Sequence, residues 1–122
     1  MPKIPIQNLT RPLDNPLSVR LCAGFLQRFV GLMFHPPLKP DDGILLIGRD
    51  ESQMDASIHM LFMRMDITVV WMNRALEVVD VKIAKKWRPM YAPIKPAIYT
   101  LEISSDRLSD FSIGDRLHFE IG

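Results

Sequence analysis

The chain has 122 residues, 48% of them hydrophobic and 24% charged, with 15 Lys and Arg against 14 Asp and Glu and a net charge of +1. Such totals fit one globular domain that holds a core without metal or disulfide staples, and they exclude a disordered tail or a fibrous repeat. So even a charge balance gives no general pull toward phosphate backbones or anionic lipid, so neither nucleic acid nor membrane is expected as a partner.

A single cysteine, Cys22, forbids an intrachain disulfide and suits a reducing compartment. Neither the stretch from Met1 to Ile6 nor any later run is apolar for long enough to act as a signal peptide or to span a bilayer, so a cytoplasmic, soluble protein is expected. Ten prolines fall in three clusters, at positions 2 to 16, 36 to 40 and 89 to 96. They punctuate elements rather than divide domains, and the whole of 1–122 reads as one domain.

In chain order, Ile4 to Thr10 reads as a short edge strand interrupted by Pro5. Leu17, Val19 and Leu21 alternate with polar neighbours, which is strand period. The period then changes. Phe25, Phe29 and Leu32, with Leu26, Val30 and Met33 beside them, form the apolar face of one amphipathic helix over about 23–33, with Gln27 and Arg28 off that face. Pro36-Pro37 ends it. Gly43 to Ile47 is a buried strand, Gly48 to Ser57 a polar loop, and Ile58 to Met65 an apolar, methionine-rich run. Ile67 to Met72 and Val79 to Ile83 flank a turn at Asn73-Arg74 and predict a hairpin. A proline-rich connection with Trp87 and Tyr91 leads to a strand over 97–103. One helical turn, a Gly114-Asp115 turn and a closing strand over 117–121 follow. The fold class is mainly β: a compact two-layer β-sandwich or small barrel with one N-terminal helix.

In this order Arg28-x-x-Gly31-Leu32-Met33, Asp42-Gly43-Ile44-Leu45, Ser57-Ile58-His59-Met60, Trp87-Arg88-Pro89, Leu101-Glu102-Ile103 and Gly114-Asp115 resemble the bacterial and archaeal domain of unknown function 192. The resemblance runs from about Asn8 to Phe119 and implies a compact β fold of two packed sheets with a short helix. It implies no particular activity. Many relatives carry Trp-Met-Lys-Asn-Thr where this chain has His59 to Met63, so the chain is similar to a Ser-Ile-His branch.

The polar residues set against this scaffold are the candidates for function. His59 begins an apolar run after a long polar loop, and a histidine carries protons near neutrality. Its alternative use is a ring packed on the sheet and bonded to a carbonyl, which the lack of an adjacent carboxylate favours. A Cys22–His59 nucleophile–base pair needs the two brought together by the fold. Met54, Met60, Met63, Met65 and Met72 near His59 raise soft-metal binding. Four strand residues at ~3.3 Å each put His59 and Met63 about 13 Å apart, too far for one ion, so no metal or cofactor is expected. Arg64 lies in an apolar stretch and calls for a partner, for which Glu102 is the obvious carboxylate. Arg28, Arg64 and Arg88 supply planar forks for a carboxylate or phosphate, and Trp87 a wall for stacking. The reading that follows is a binding module for a small polar or anionic molecule, using His59, Arg64, Arg88, Trp87, Glu102 and Arg28. The alternatives are a small acid–base hydrolase with His59 as base, and an assembly domain. As a molecule the chain is expected to be a monomer or a homodimer.

Overall fold

The computed structural model describes residues 3–121. Met1, Pro2 and Gly122 of the domain expected over 1–122 lie outside the described residues, as do the side chains of Phe25 and Leu26 on the expected helix face. The elements run β1 (Ile4–Pro5), β2 (Gln7–Asn8), β3 (Ser18–Cys22), α1 (Phe25–Val30), β4 (Gly43–Ser52), β5 (Ile67–Met72), β6 (Val78–Ala84), β7 (Ala97–Ser104), a 3₁₀ helix (Ser105–Asp110) and β8 (Leu117–His118). Six strands form one sheet in the order β1-β3-β4-β7-β5-β6, and β2 pairs with β8 in a small second sheet.

The mainly β class holds, and the closed barrel does not: the six-stranded sheet is open, with β1 and β6 as its edges. Closure would require β1 to pair on both sides, yet it contributes two residues, and Pro5 has no N–H to give. The layers are unequal, since apolar side chains leave both faces of the large sheet. On one face Ile44, Leu46, Val69, Trp71 and Ala97 pack against Leu32, Ile58, Met60 and Met63. On the other, Leu45, Val70, Met72, Leu101 and Ile103 pack against Ile6, Leu17, Phe111 and Phe119. Period two sends alternate residues to opposite faces, so β5, buried at every position, feeds both cores.

All neighbouring strands are antiparallel except β3 and β4, which are parallel, with Arg20 opposite Ile44 and Cys22 opposite Leu46. A parallel pair cannot be joined by a tight turn. The chain must cross over a face of the sheet, and α1 is carried on that crossover. It is shorter than the 23–33 expected. Gly31 takes φ +47 and its N–H closes on Gln27 O at 2.9 Å, so the helix stops there rather than at Pro36-Pro37. The expected facing is also corrected. Phe29 and Val30 stand 54% and 43% exposed, whereas Arg28 is half-buried on the sheet side.

Two further differences shape one end of the sheet. β4 runs on through Ser52, beyond the loop start expected at Gly48, with a register shift against β7 between Ile47 and Ser52. Ile58 to Met65 forms no strand, and its one β-bridge among the described residues is Ile58–Tyr91. The fully buried Trp71 donates its indole N–H to Ala56 O at 2.8 Å, which pins the segment before Ile58 against the sheet.

Buried polar staples close the opposite end. Arg107, 4% exposed, donates to the carbonyls of Asn15, Pro16 and Pro40 at 2.9–3.1 Å and pairs with Asp110 at 2.7 Å. Asp115 accepts from Asn8 Nδ2 at 2.8 Å, Ser112 N–H at 2.9 Å and Arg11. Burial pushes the Asp115 carboxyl up, but these hydrogen bonds and the Arg11 charge outweigh it and hold it below the usual range. The stability it contributes is therefore present at neutral pH and lost in acid.

A packing test follows. A Cβ on Gly43 would lie 2.6 Å from Glu102 O and 2.8 Å from Ile103 Cγ2. Gly43→Ala is expected to lower stability by about 1–3 kcal/mol in urea unfolding, because backbone in the middle of a sheet cannot move aside.

Candidate functional site

The crossover encloses a cavity of about 390 Å³ between α1, the face of β4 and β7, and the segment pinned by Trp71. Its floor is β7. Ile98, Thr100 and Glu102 fall on one face by strand period, and all three line the cavity. Its roof is Arg28 to Met33, and one wall is Ala56 to His59. The β4 register shift opens the rim, where Gly48, Arg49 and Asp50 leave the sheet.

Glu102 is the unusual residue. It sits on a central strand, opposite Ile44 on β4 and Val69 on β5, and is 5% exposed. Among the described residues its carboxyl has no ion pair and no hydrogen bond. Burial among apolar neighbours raises it from the ordinary glutamate value to about 7. Above it, Arg28 Nε is buried with no hydrogen-bond partner among the described residues. A Cβ placed on Gly31 would lie 3.7 Å from Glu102 Oε1, so the Gly31 turn rides directly over the carboxyl. A carboxyl and a guanidinium are thus brought to one cavity with no ion pair between them among the described residues.

His59 also lines the cavity, but its ring is spent on backbone. Leu61 N–H donates to Nδ1 at 3.2 Å, which leaves the proton on Nε2, and Nε2 donates to Phe29 O at 2.8 Å. The ring also packs on Phe29, centroids 4.9 Å apart. His59 is therefore a strut that ties the wall to α1, and among the described residues no carboxylate hydrogen-bonds it as an acid–base partner would require. Among the described residues Cys22 has no hydrogen bond to that ring, and burial pushes its thiol up, away from nucleophilic use.

The other candidates lie elsewhere. Arg64, Trp87 and Arg88 are exposed and do not line the cavity. The Arg64–Glu102 pair expected from the sequence is not formed. Glu102 points to the α1 side of the sheet, while Arg64 is carried on a surface turn and needs no partner there. The residues passed over in the sequence are Thr100 and the rim residues Asp50 and Asp55. Thr100 was legible in principle, two residues before Glu102 on the same face. The rim was not, because only the irregularity in β4 brings it near.

Fold and site together define a small, mainly β protein with a crossover helix roofing a cavity that holds a buried carboxyl and a guanidinium with an unpartnered Nε. The chain belongs to the family described as Uncharacterized ACR, COG1430, which is domain of unknown function 192; the match covers residues 8–119. Among its relatives, a UPF0127 protein of Pyrococcus furiosus is 37% identical over 114 residues, covering 92% of this chain and 95% of that one. A UPF0127 protein of Thermococcus kodakarensis is 43% identical over 85 residues, covering 70% of this chain and 52% of that one. Two crystal structures share the fold. One is a putative transcription regulator from Sinorhizobium meliloti (TM-score 0.82, 18% identity, 96% of this chain and 92% of that one). The other is a protein of unknown function from Novosphingobium aromaticivorans (TM-score 0.81, 14% identity, 95% and 83%). Only some of the stretches that carry the family resemblance meet in space. Arg28, Gly31 and Glu102 share the cavity, while Gly114-Asp115 forms the staple at the other end.

Two outcomes test this geometry. A carboxyl raised in the folded state binds its proton more tightly there than in the unfolded chain. It favours folding at low pH, and that advantage fades as pH rises from about 4.5 to about 7. The loss is on the order of 3 kcal/mol. Melting temperatures of the natural chain should fall across that interval, and Glu102→Gln should flatten the profile and be the more stable form at pH 8. His59→Ala should cost about 1 kcal/mol and speed amide hydrogen exchange over 27–34.

Proposed function

We propose that this domain binds a small polar or anionic molecule in the cavity beneath α1. The observation that carries the reading is Arg28 Nε, buried with no hydrogen-bond partner among the described residues, in one cavity with the Glu102 carboxyl, which has no ion pair or hydrogen bond among them and which burial raises to about 7. Buried polar groups are normally satisfied, and leaving one unpaired costs about 1–3 kcal/mol. Two in one cavity are accounted for by a guest that satisfies both: an anionic or acceptor group on Arg28, and a hydrogen-bonding group on Glu102. Leu46, Met63 and Ile98 would cover the carbon part of such a guest. The volume lies at the small end of ligand sites, which run roughly 300–1,000 Å³.

Arg28 and Glu102 are the residues assigned to the ligand, with Thr100 beside them and His59 as a positioning residue that holds the roof. Arg64, Arg88 and Trp87 have no part at this cavity. The hydrolase reading has no support, since both ring nitrogens of His59 are occupied by backbone.

The test is a thermal-shift screen of small carboxylates, phosphates and amino acids, followed by calorimetry. A true ligand at about a hundred times its Kd should raise the melting temperature by on the order of 10 °C. Arg28→Met and Glu102→Gln should each weaken it about tenfold or more, as expected when a charge-assisted hydrogen bond of about 1.5–3 kcal/mol is lost. A screen in which nothing stabilises the protein, or in which every hit survives both substitutions, would remove the proposal.

A further inference from the structure

Away from the cavity, three turns carry an aromatic residue each in the left-handed region: Phe34 (φ 60), Phe62 (φ 62) and Trp87 (φ 68). For a bulky side chain that conformation is strained, and here it is adopted three times. It does not serve to bury the rings, which are 63%, 42% and 56% exposed. They touch one another instead, with centroids 5.2 Å apart for Phe34–Phe62 and 5.3 Å for Phe62–Trp87. Backbone hydrogen bonds stitch the turns together, Phe34 N–H to Phe62 O at 2.9 Å and Trp87 N–H to Met60 O at 2.7 Å. Leu61 and Met90, also exposed, extend the apolar surface along the same turns.

Charge singles out the same place. The segments 31–40, 60–65 and 85–90 hold Lys39, Arg64, Lys85, Lys86 and Arg88 and no Asp or Glu. The other ten Lys and Arg, against fourteen Asp and Glu, leave the remainder of the molecule at −4. All five cations are exposed, and none is in an ion pair among the described residues. Asp66, beside this group, is engaged by Lys86 N–H at 2.9 Å. The expectation of no membrane partner came from a total charge of +1, and a total says nothing of charges that are segregated.

We propose that this aromatic, basic pole docks on an anionic lipid surface, independently of the cavity. Trp and Phe seat their rings at headgroup depth, and Lys and Arg around them meet lipid phosphates. Other occupants fit less well. A two-fold dimer through this patch would set five uncompensated cations against five more. A nucleobase finds no slot between rings already in contact. A bound peptide requires a groove or a sheet edge, and these rings stand on turns.

Sedimentation with phosphatidylcholine vesicles, with and without phosphatidylserine, tests the proposal. The chain should partition onto the phosphatidylserine vesicles, at least about tenfold more weakly onto the neutral ones, and less as salt is added. Brominated lipid should quench Trp87, while the buried Trp71 stays silent. Trp87→Gly with Phe62→Gly, and Arg64→Glu with Arg88→Glu, should each cut partitioning about tenfold or more. Glycine relieves the left-handed strain, so the first pair should melt no lower than the natural chain, which separates lost docking from lost fold. The proposal is overturned by any of three results: no partitioning at low salt, equal partitioning onto neutral vesicles, or preferred occupation of the patch by an oligodeoxynucleotide or by a second copy in light scattering.

Discussion

The structure depends on the placement of β7. This strand lies between β4 and β5, antiparallel to both, and its two faces supply the two cores. Leu101 and Ile103 go to one side with Val70 and Leu45. Ile98 and Thr100 go to the other, and so does Glu102. A central strand has no solvent edge, so a carboxyl there cannot reach water along its own sheet. The fold must bury it, satisfy it or open a space above it. The third course is taken, and the crossover from β3 to β4 makes the space.

That crossover explains why the roof has the character it does. A parallel pair of neighbouring strands needs chain over the face, and α1 is all the helix it provides. A longer helix with its apolar side down would have filled the cavity with Phe29 and Val30. The turn at Gly31 and the His59 strut instead hold a six-residue helix on the roof with Arg28 half-buried and Phe29 and Val30 exposed. Such an inversion of amphipathicity forgoes apolar burial, and local conflicts of this kind are expected where function rather than stability sets the arrangement. The stability is found elsewhere, in the fully buried β5 and in the Arg107 and Asp115 staples at the far end of the sheet.

The strands and the hairpin between β5 and β6 were legible because period two is a local signal. Each residue's environment follows from its neighbours two places away. The sequence also pointed to Glu102 and Arg28, the one as an acid in an apolar strand and the other as one of three arginine forks. It erred where partners are remote in sequence. Arg64, which seemed to need a carboxylate, lies on an exposed turn. Arg107, which drew no notice, is the arginine that is buried, and its acceptors are carbonyls up to 92 residues away. Carbonyls leave no trace in composition, so such a partner cannot be read from side-chain types.

By itself the sequence determined that the chain is mainly β, that it resembles its family and that few polar residues interrupt its apolar strands. These follow from spacing along the chain, which fixes which side of an extended backbone each side chain takes. Tertiary structure alone decided that β3 and β4 run parallel, that the sheet stays open, that Arg28 turns toward Glu102 without touching it, and that three aromatic turns gather five cations at one pole. Those outcomes depend on pairing and closure between segments tens of residues apart. No local periodicity encodes such pairing.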